Sequence, residues 1–181
     1  MQVREEEWPA EFLHLTRPAQ GEQTFVRGEV KFSEDREIPP GTALYIIDGS
    51  LVGKRSFSLA GREGMIYFGS DPLVKATAVL LTKAAGEKTL FTDKQTHRWE
   101  WRIEISNARS YPVRVRIEEP LPQSRDERIQ ITLKSDPAPT ESTPDSRIWI
   151  VEAPAGGKRH LLTAVYLEAP KNLPLDLGWR R

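Results

Sequence analysis

The chain has 181 residues, no cysteine, and 26 basic against 26 acidic side chains, for a formal net charge of zero. A balanced charge gives no electrostatic reason to expect nucleic acid or an anionic membrane as partner, and the missing thiols exclude disulfides, cysteine nucleophiles and cysteine metal ligands. Hydrophobic residues make up 38% of the chain, enough for a real core, and 29% are charged.

In chain order, the first twenty residues carry Glu5, Glu6, Glu7 and Glu11 and no apolar run of signal-peptide length. The longest apolar stretch, Ala76 to Leu81, is far too short to span a bilayer. The chain therefore reads as soluble, without an assignable compartment. Fourteen prolines spread along the sequence argue against long helices. Short runs rich in Val, Ile, Thr and aromatics alternate instead with Gly, Pro, Asp and Ser clusters, the pattern of a sandwich or barrel. Strands are expected over 11–16, 24–32, 43–47, 51–59, 64–68, 74–82 and 89–92, and a second group over 96–106, 113–118, 128–134, 147–151 and 159–168. Asp48-Gly49 predicts a tight primed hairpin turn requiring positive φ.

The clearest period is between His97 and Glu119. Trp99, Trp101, Ile103 and Ile105 alternate with Arg98, Glu100, Arg102 and Glu104, and Val113, Val115 and Ile117 alternate with Arg114, Arg116 and Glu118. A period of two places each apolar set on one face and each charged set on the other. The pattern predicts an antiparallel hairpin with a buried face and an ion-paired, solvated one. The proline-rich segment 136–145 reads as a long, exposed intradomain connection. The expected architecture is all-β, with two sandwich-like units: residues 1–88, and residues 89–181 as an immunoglobulin- or fibronectin-like sandwich. The break is expected near residues 84–96.

Chemistry is sparse. His14, His97 and His160 share no metal-ligand spacing, and Asp93, Asp136 and Asp145 are too scattered for a calcium site. Gly69-Ser70-Asp71-Pro72 places a hydroxyl beside a carboxylate, but its residue types suit a turn in which Asp71 caps its own backbone. Ser124 to Arg128 reads as a charged loop, and Ala155 to Lys158 as a turn with no helix behind it to bind phosphate. Among the five tryptophans (8, 99, 101, 149 and 179), Trp99 and Trp101 are in phase with the core. Trp149 is out of phase with Ile148 and Ile150, and is the expected surface aromatic for a carbohydrate. No catalytic, cofactor-binding or metal-ligating residue is assigned.

Four separated blocks resemble one family. Ile38 to Gly53 carries a proline-glycine, a strand, Asp-Gly and a hydrophobic-Val-Gly; Phe68 to Lys75 carries Gly-x-Asp-Pro-x-Val-Lys. Arg102 to Asn107 is a strand ending in Asn, and Glu119 to Ile129 places Pro-x-Ser-x-Asp before a strand. In this order they resemble the carboxy-terminal domain, of unknown function, of mucoidy-inhibitor-A-like proteins. The resemblance implies a bacterial, largely β-stranded module that normally follows another domain and a coiled coil, linked to exopolysaccharide and the cell envelope. It supplies no catalytic residues. The resulting expectation is a non-enzymatic interaction or scaffold module that binds a protein partner or other domains of a longer chain. Its rivals are a polysaccharide-acting enzyme and a carbohydrate-binding module.

Overall fold

The computed structural model describes residues 5–85 and 93–178. These residues are all-β, in nine strands: β1 (Ala10–Thr16), β2 (Gln23–Ile47), β3 (Ser50–Ala85), β4 (Lys94–Asn107), β5 (Val113–Pro120), β6 (Gln130–Asp136), β7 (Glu141–Ser142), β8 (Ser146–Ala153) and β9 (Lys158–Pro170). They form one mixed sheet in the order β6-β9-β4-β3-β2-β1-β5-β8-β7. Its pairings are antiparallel apart from β1 with β5. The strand expected over residues 89–92 and Trp179 lie outside the described residues.

The alternation of β4 holds, but the expected hairpin does not. Strand β4 pairs with β3 and β9, whereas β5 pairs with β1 and β8. Ile103 and Ile105 instead meet Val113, Val115 and Ile117 within one cluster that also takes Val74, Ala76, Trp149 and Leu161. The reason lies in the five residues between the strands. The Ala108 N–H donates to the Leu73 carbonyl and the Asn107 N–H to the Gly157 carbonyl. Both ties continue the β4 ladders with β3 and β9 to the strand's end, and the Asn107 amide on the Tyr111, Ala153 and Pro154 carbonyls then leads the chain toward β8. Periodicity reports which face is buried; it does not report the neighbour.

Trp99 and Trp101 are buried as expected, but in a second cluster with Val165, Leu167 and Ala169, covered by Leu173, Leu175 and Leu177. The charged faces are ion-paired, though with other strands than expected. Glu104 takes Lys158 of β9 at 2.6 Å, and Glu118 takes Arg17 at 2.9 Å and Arg116 at 2.8 Å. The expected junction at residues 88/89 lies outside the described residues. Val74–Ala85 pairs with His97–Asn107, and Val74 and Ala76 belong to the core expected of the second unit.

Two expected strands merge into β2 and three into β3, because proline and glycine act there as bulges and bends, not as ends. The pairing slips between Lys31 and Arg36 and again between Ile38 and Gly41, beside Pro39 and Pro40. In the first slip, residues 32–35 of β2 lie opposite Arg62 alone, next to Gly61 at φ 102°. Only glycine takes that torsion without strain. The paired strands fold back there. A straight strand would hold Gly53 and Gly69 ~50 Å apart. Yet a Cβ built on Gly53 lies 3.1 Å from the Phe68 carbonyl, and one on Gly69 lies 3.1 Å from the Val52 carbonyl. The folded-back arm buries Leu59 and Tyr45, the latter edge-on to Phe68 with ring centroids 5.5 Å apart. At its tip, Asp48 (φ 48°) and Gly49 (φ 78°) make the expected primed turn.

Candidate functional site

The fold-back brings the arm's tip to the corner where β3 and the β4–β5 connection cross between the two wings. Four polar side chains distant in sequence meet there. His14 comes from β1, where register with Val26 and Val115 turns it inward. Asp71 comes from the bend after Gly69 (φ 127°). Arg109 comes from the β4–β5 connection, and Asp48 from the arm.

Asp71 is the hub. Its Oδ2 accepts Arg109 Nε at 2.7 Å and lies 2.8 Å from His14 Nε2; its Oδ1 accepts the Leu73 N–H at 3.0 Å. The last bond is the backbone cap that the Gly69 to Pro72 turn predicts. The same carboxylate, however, is buried and ionically committed, which the turn motif alone does not signal. Burial penalises the charge of Asp71, but the hydrogen bonds from Arg109, His14 and Leu73 outweigh it and hold the carboxyl below its ordinary range. For His14, burial is the larger influence. It pushes the imidazole below its ordinary value despite the neighbouring carboxylate.

Arg109 links this interior to the surface. Its side chain is 4% exposed, and its Nη1 donates both to Asp48 Oδ2 and, at 3.0 Å, to the Tyr111 hydroxyl. The Tyr111 hydroxyl donates in turn to Asp48 Oδ2 at 2.8 Å. The hydrogen bond to Asp71 holds the guanidinium firmly protonated. Burial, then the bond to Asp48, raises Tyr111 above its ordinary value. Asn107 fixes the loop that presents Arg109. Its Oδ1 accepts the Arg109 N–H at 3.0 Å, while its Nδ2 faces the carbonyls of Tyr111, Ala153 and Pro154 at 2.9–3.2 Å.

Beside this network lies a cleft of about 620 Å³, with walls from Phe12, Val26, Ile46, Phe68, Tyr111 and Val113 and with Asp48, Arg114 and Glu152 among its polar groups. Phe12 and Phe68 touch with centroids 5.7 Å apart. At its rim, the arm's tip exposes Leu44 (61%), Ile46 (56%) and Leu51 (64%). Ile46 and Leu51 are direct cross-strand partners.

The other residues weighed for chemistry lie apart. His97 stacks on Trp99 with ring planes 15° apart, and His160 is an exposed neighbour of Glu104 at 3.6 Å. No group of three potential metal ligands occurs among the described residues. Asp126 near Ser124 is held by Arg128 at 2.6 Å, which lowers its carboxyl to about 2. The Ala155 to Lys158 segment is a turn between β8 and β9 with Gly156 at φ 59°.

Trp149 overturns the expectation of a surface aromatic. It is 1% exposed and belongs to the main core, and its indole N–H donates to the Pro137 carbonyl at 3.0 Å. Trp149 lies directly opposite Ile117 and so shares its core face, while Ile148, on the other face, is buried as well. Alternation identifies the wet face only where one face is bare.

Asp48, Asp71 and Asn107 stand in three of the four sequence blocks described above, so those blocks converge on one cluster. His14 and Arg109 fall outside the quoted blocks, and nothing in their local sequence marks them. No described helix is long and apolar enough to cross a membrane, which leaves strands unaddressed. A family model described as "Domain of unknown function (DUF4139)" matches residues 9–171. Comparison with curated proteins and with solved structures finds no match.

Proposed function

Because the chain belongs to the family of the domain of unknown function DUF4139, we propose that it is a non-enzymatic interaction module that binds an extended, apolar-bearing segment of a protein partner. The single observation behind this reading is the exposed trio Leu44, Ile46 and Leu51, carried on a pinned hairpin at the mouth of an aromatic-walled cleft. An exposed apolar cluster at a concave, polar-rimmed site is the usual mark of a docking surface. The ionic groups beneath it hold one another: Arg109 spans two carboxylates, and His14 is tied to Asp71. Such a network suits fixing the geometry of the site. Within this reading the body is an immunoglobulin- or fibronectin-like sandwich with the β2–β3 arm added. The four sequence blocks support placing it in a bacterial mucoidy-inhibitor-A-like protein that acts at the cell envelope.

Panning the full chain against a displayed random-peptide library tests the reading. Peptides with one or two bulky apolar residues are expected to enrich, and their binding to fall at least about tenfold with Ile46→Ser, since burying such a side chain is worth ~1.5–3 kcal/mol. No enrichment, or enrichment indifferent to Ile46→Ser in a variant of unchanged thermal midpoint, would sink it. A polysaccharide-acting enzyme is the second reading, favoured by Asp48 and Glu152 lining the same cleft, since glycoside hydrolysis uses two facing carboxyl groups. Turnover of a capsular or exopolysaccharide that is lost in both Asp48→Asn and Glu152→Gln would replace the first reading with this one.

A further inference from the structure

Ile46, Ile47 and Asp48 form one wall of the cleft and belong to the arm, whereas Phe12, His14, Val26, Phe68, Arg109 and Val113 belong to the body. The cleft therefore exists in its present shape only while the arm is folded down. The arm's own hydrogen bonds run between β2 and β3 and would survive its movement. Its bend has the character of a hinge: Gly61 at φ 102° has no atom within 4 Å of a built Cβ, and four residues of β2 oppose one of β3 there. At the far end, the polar attachment to the body runs through one carboxylate. Asp48 Oδ2 takes both Arg109 and Tyr111, and Asp48 is itself more than half exposed. Tyr45 against Phe68 and Arg55 Nη2 on the Phe68 carbonyl at 3.4 Å add to the closed position.

We infer that the β2–β3 arm is a lid hinged at Gly61, with Asp48 as its catch on Arg109 and Tyr111, and that release of the catch opens the cleft to its partner. This rests on the docking role proposed for the cleft and adds its control. Asp71 and His14 serve as the catch's fixed seat. They aim the Arg109 guanidinium, so that Asp48 is the ionic contact to break, with Tyr45 and Arg55 releasing Phe68 as the arm lifts. A partner bearing its own carboxylate could take Asp48's place on Arg109, coupling occupancy to opening.

The absence of cysteine makes a two-label distance measurement direct. Spin labels at Leu51→Cys on the tip and Gln130→Cys on β6 report the arm against the body by double electron–electron resonance. With Asp48 and Tyr111 intact, one narrow distance population is expected. Adding Asp48→Asn and Tyr111→Phe is expected to produce a second, displaced population, with the open fraction raised about tenfold, as expected for losing a charge-assisted hydrogen bond. Asn is chosen because Asn-Gly retains the primed turn. An unchanged single population in that variant, or two comparable populations in the parent, overturns the lid. Should the double variant lose its far-ultraviolet β signal, Asp48→Asn alone carries the same test with a smaller displaced fraction. No peptide is present in these measurements. A lid that opens while library panning fails condemns the docking role, and a rigid arm with successful panning condemns the lid.

Discussion

Asp71→Ala is the sharpest perturbation of the polar cluster. The Asp71 side chain has no solvent exposure, and its loss removes partners from Arg109 Nε, His14 Nε2 and the Leu73 N–H at once. Arg109, 4% exposed, then retains its charge with Asp48 as its sole carboxylate partner among the described residues. Removing one member of a buried pair costs ~3–5 kcal/mol, because the surviving charge is left uncompensated. Asp48 softens this, since it still faces Nη1, so the lower half of that range is expected. Urea unfolding with an m value near ~3 kcal/mol/M converts this into a midpoint lowered by ~1 M or slightly more, at unchanged m. Arg109→Met in the Asp71→Ala background removes the stranded charge and is expected to recover a good part of the loss, since apolar replacement of a whole buried pair is often neutral. A midpoint that moves by less than ~0.3 M in Asp71→Ala, or a double variant that is worse by the sum of the two singles, would refute the view of Asp71 as the hub.

Acid should act on the same cluster. His14 has a folded value below its ordinary 6.5, so the unfolded chain binds the proton more readily; the stabilisation is complete above 6.5 and is lost as pH falls through the folded value. Asp71, also lowered, contributes above its ordinary 3.8 and is lost at still lower pH. Stability measured by urea at pH 7.5 and 5.5 should therefore fall with acid, and His14→Gln should flatten that slope; a parent slope of zero would contradict it. Trp101→Ala should cost ~3–5 kcal/mol by cavity formation, since Trp101 is buried among Trp99, Val165 and Leu167; a loss below ~1 kcal/mol in chemical denaturation would place it outside the core. Gly69→Ala should cost ~1–3 kcal/mol, because φ is 127° there and the new Cβ would meet Arg55 Nη2 at 2.7 Å and the Val52 carbonyl at 3.1 Å. A neutral Gly69→Ala in thermal unfolding would mean that the arm does not lie down on β3.

Local regularities were legible where one strand's chemistry decided them. The burial of Trp99 through Ile105, the Asp48-Gly49 turn and the backbone cap by Asp71 each depend on residues within a few positions. Pairing depended on longer connections. Whether β4 meets β5 edge to edge or across a core was decided by Asn107, whose amide binds the Tyr111 carbonyl and those of Ala153 and Pro154. Trp149 follows the same rule: its pairing opposite Ile117 sets it on the core face, and that partner lies more than thirty residues away in sequence. The fold-back at Gly61 carried a faint mark, a glycine between Ala60 and Arg62, indistinguishable locally from an ordinary strand glycine.

The candidate site was harder to see because its members are ordinary apart from their company. Asp71 looks like a turn residue and behaves as one toward Leu73; its second role appears only when Arg109 and His14 arrive from other strands. Its neighbours also decide its character. A His–Asp pair alone invites a general-base reading. The arginine on the same carboxylate oxygen sets the pair apart, because it competes for the Oδ2 lone pairs and, with His14 and the Leu73 N–H, holds the carboxyl below its ordinary range despite burial. Toward the cleft the cluster presents a positioned guanidinium whose outer nitrogen is held by a surface carboxylate on the arm. The motif carriers Asp48, Asp71 and Asn107 thus build one device: Asn107 shapes the loop, Asp71 orients Arg109, and Asp48 engages it. The separated sequence blocks meet in space because each supplies a part that the other two cannot.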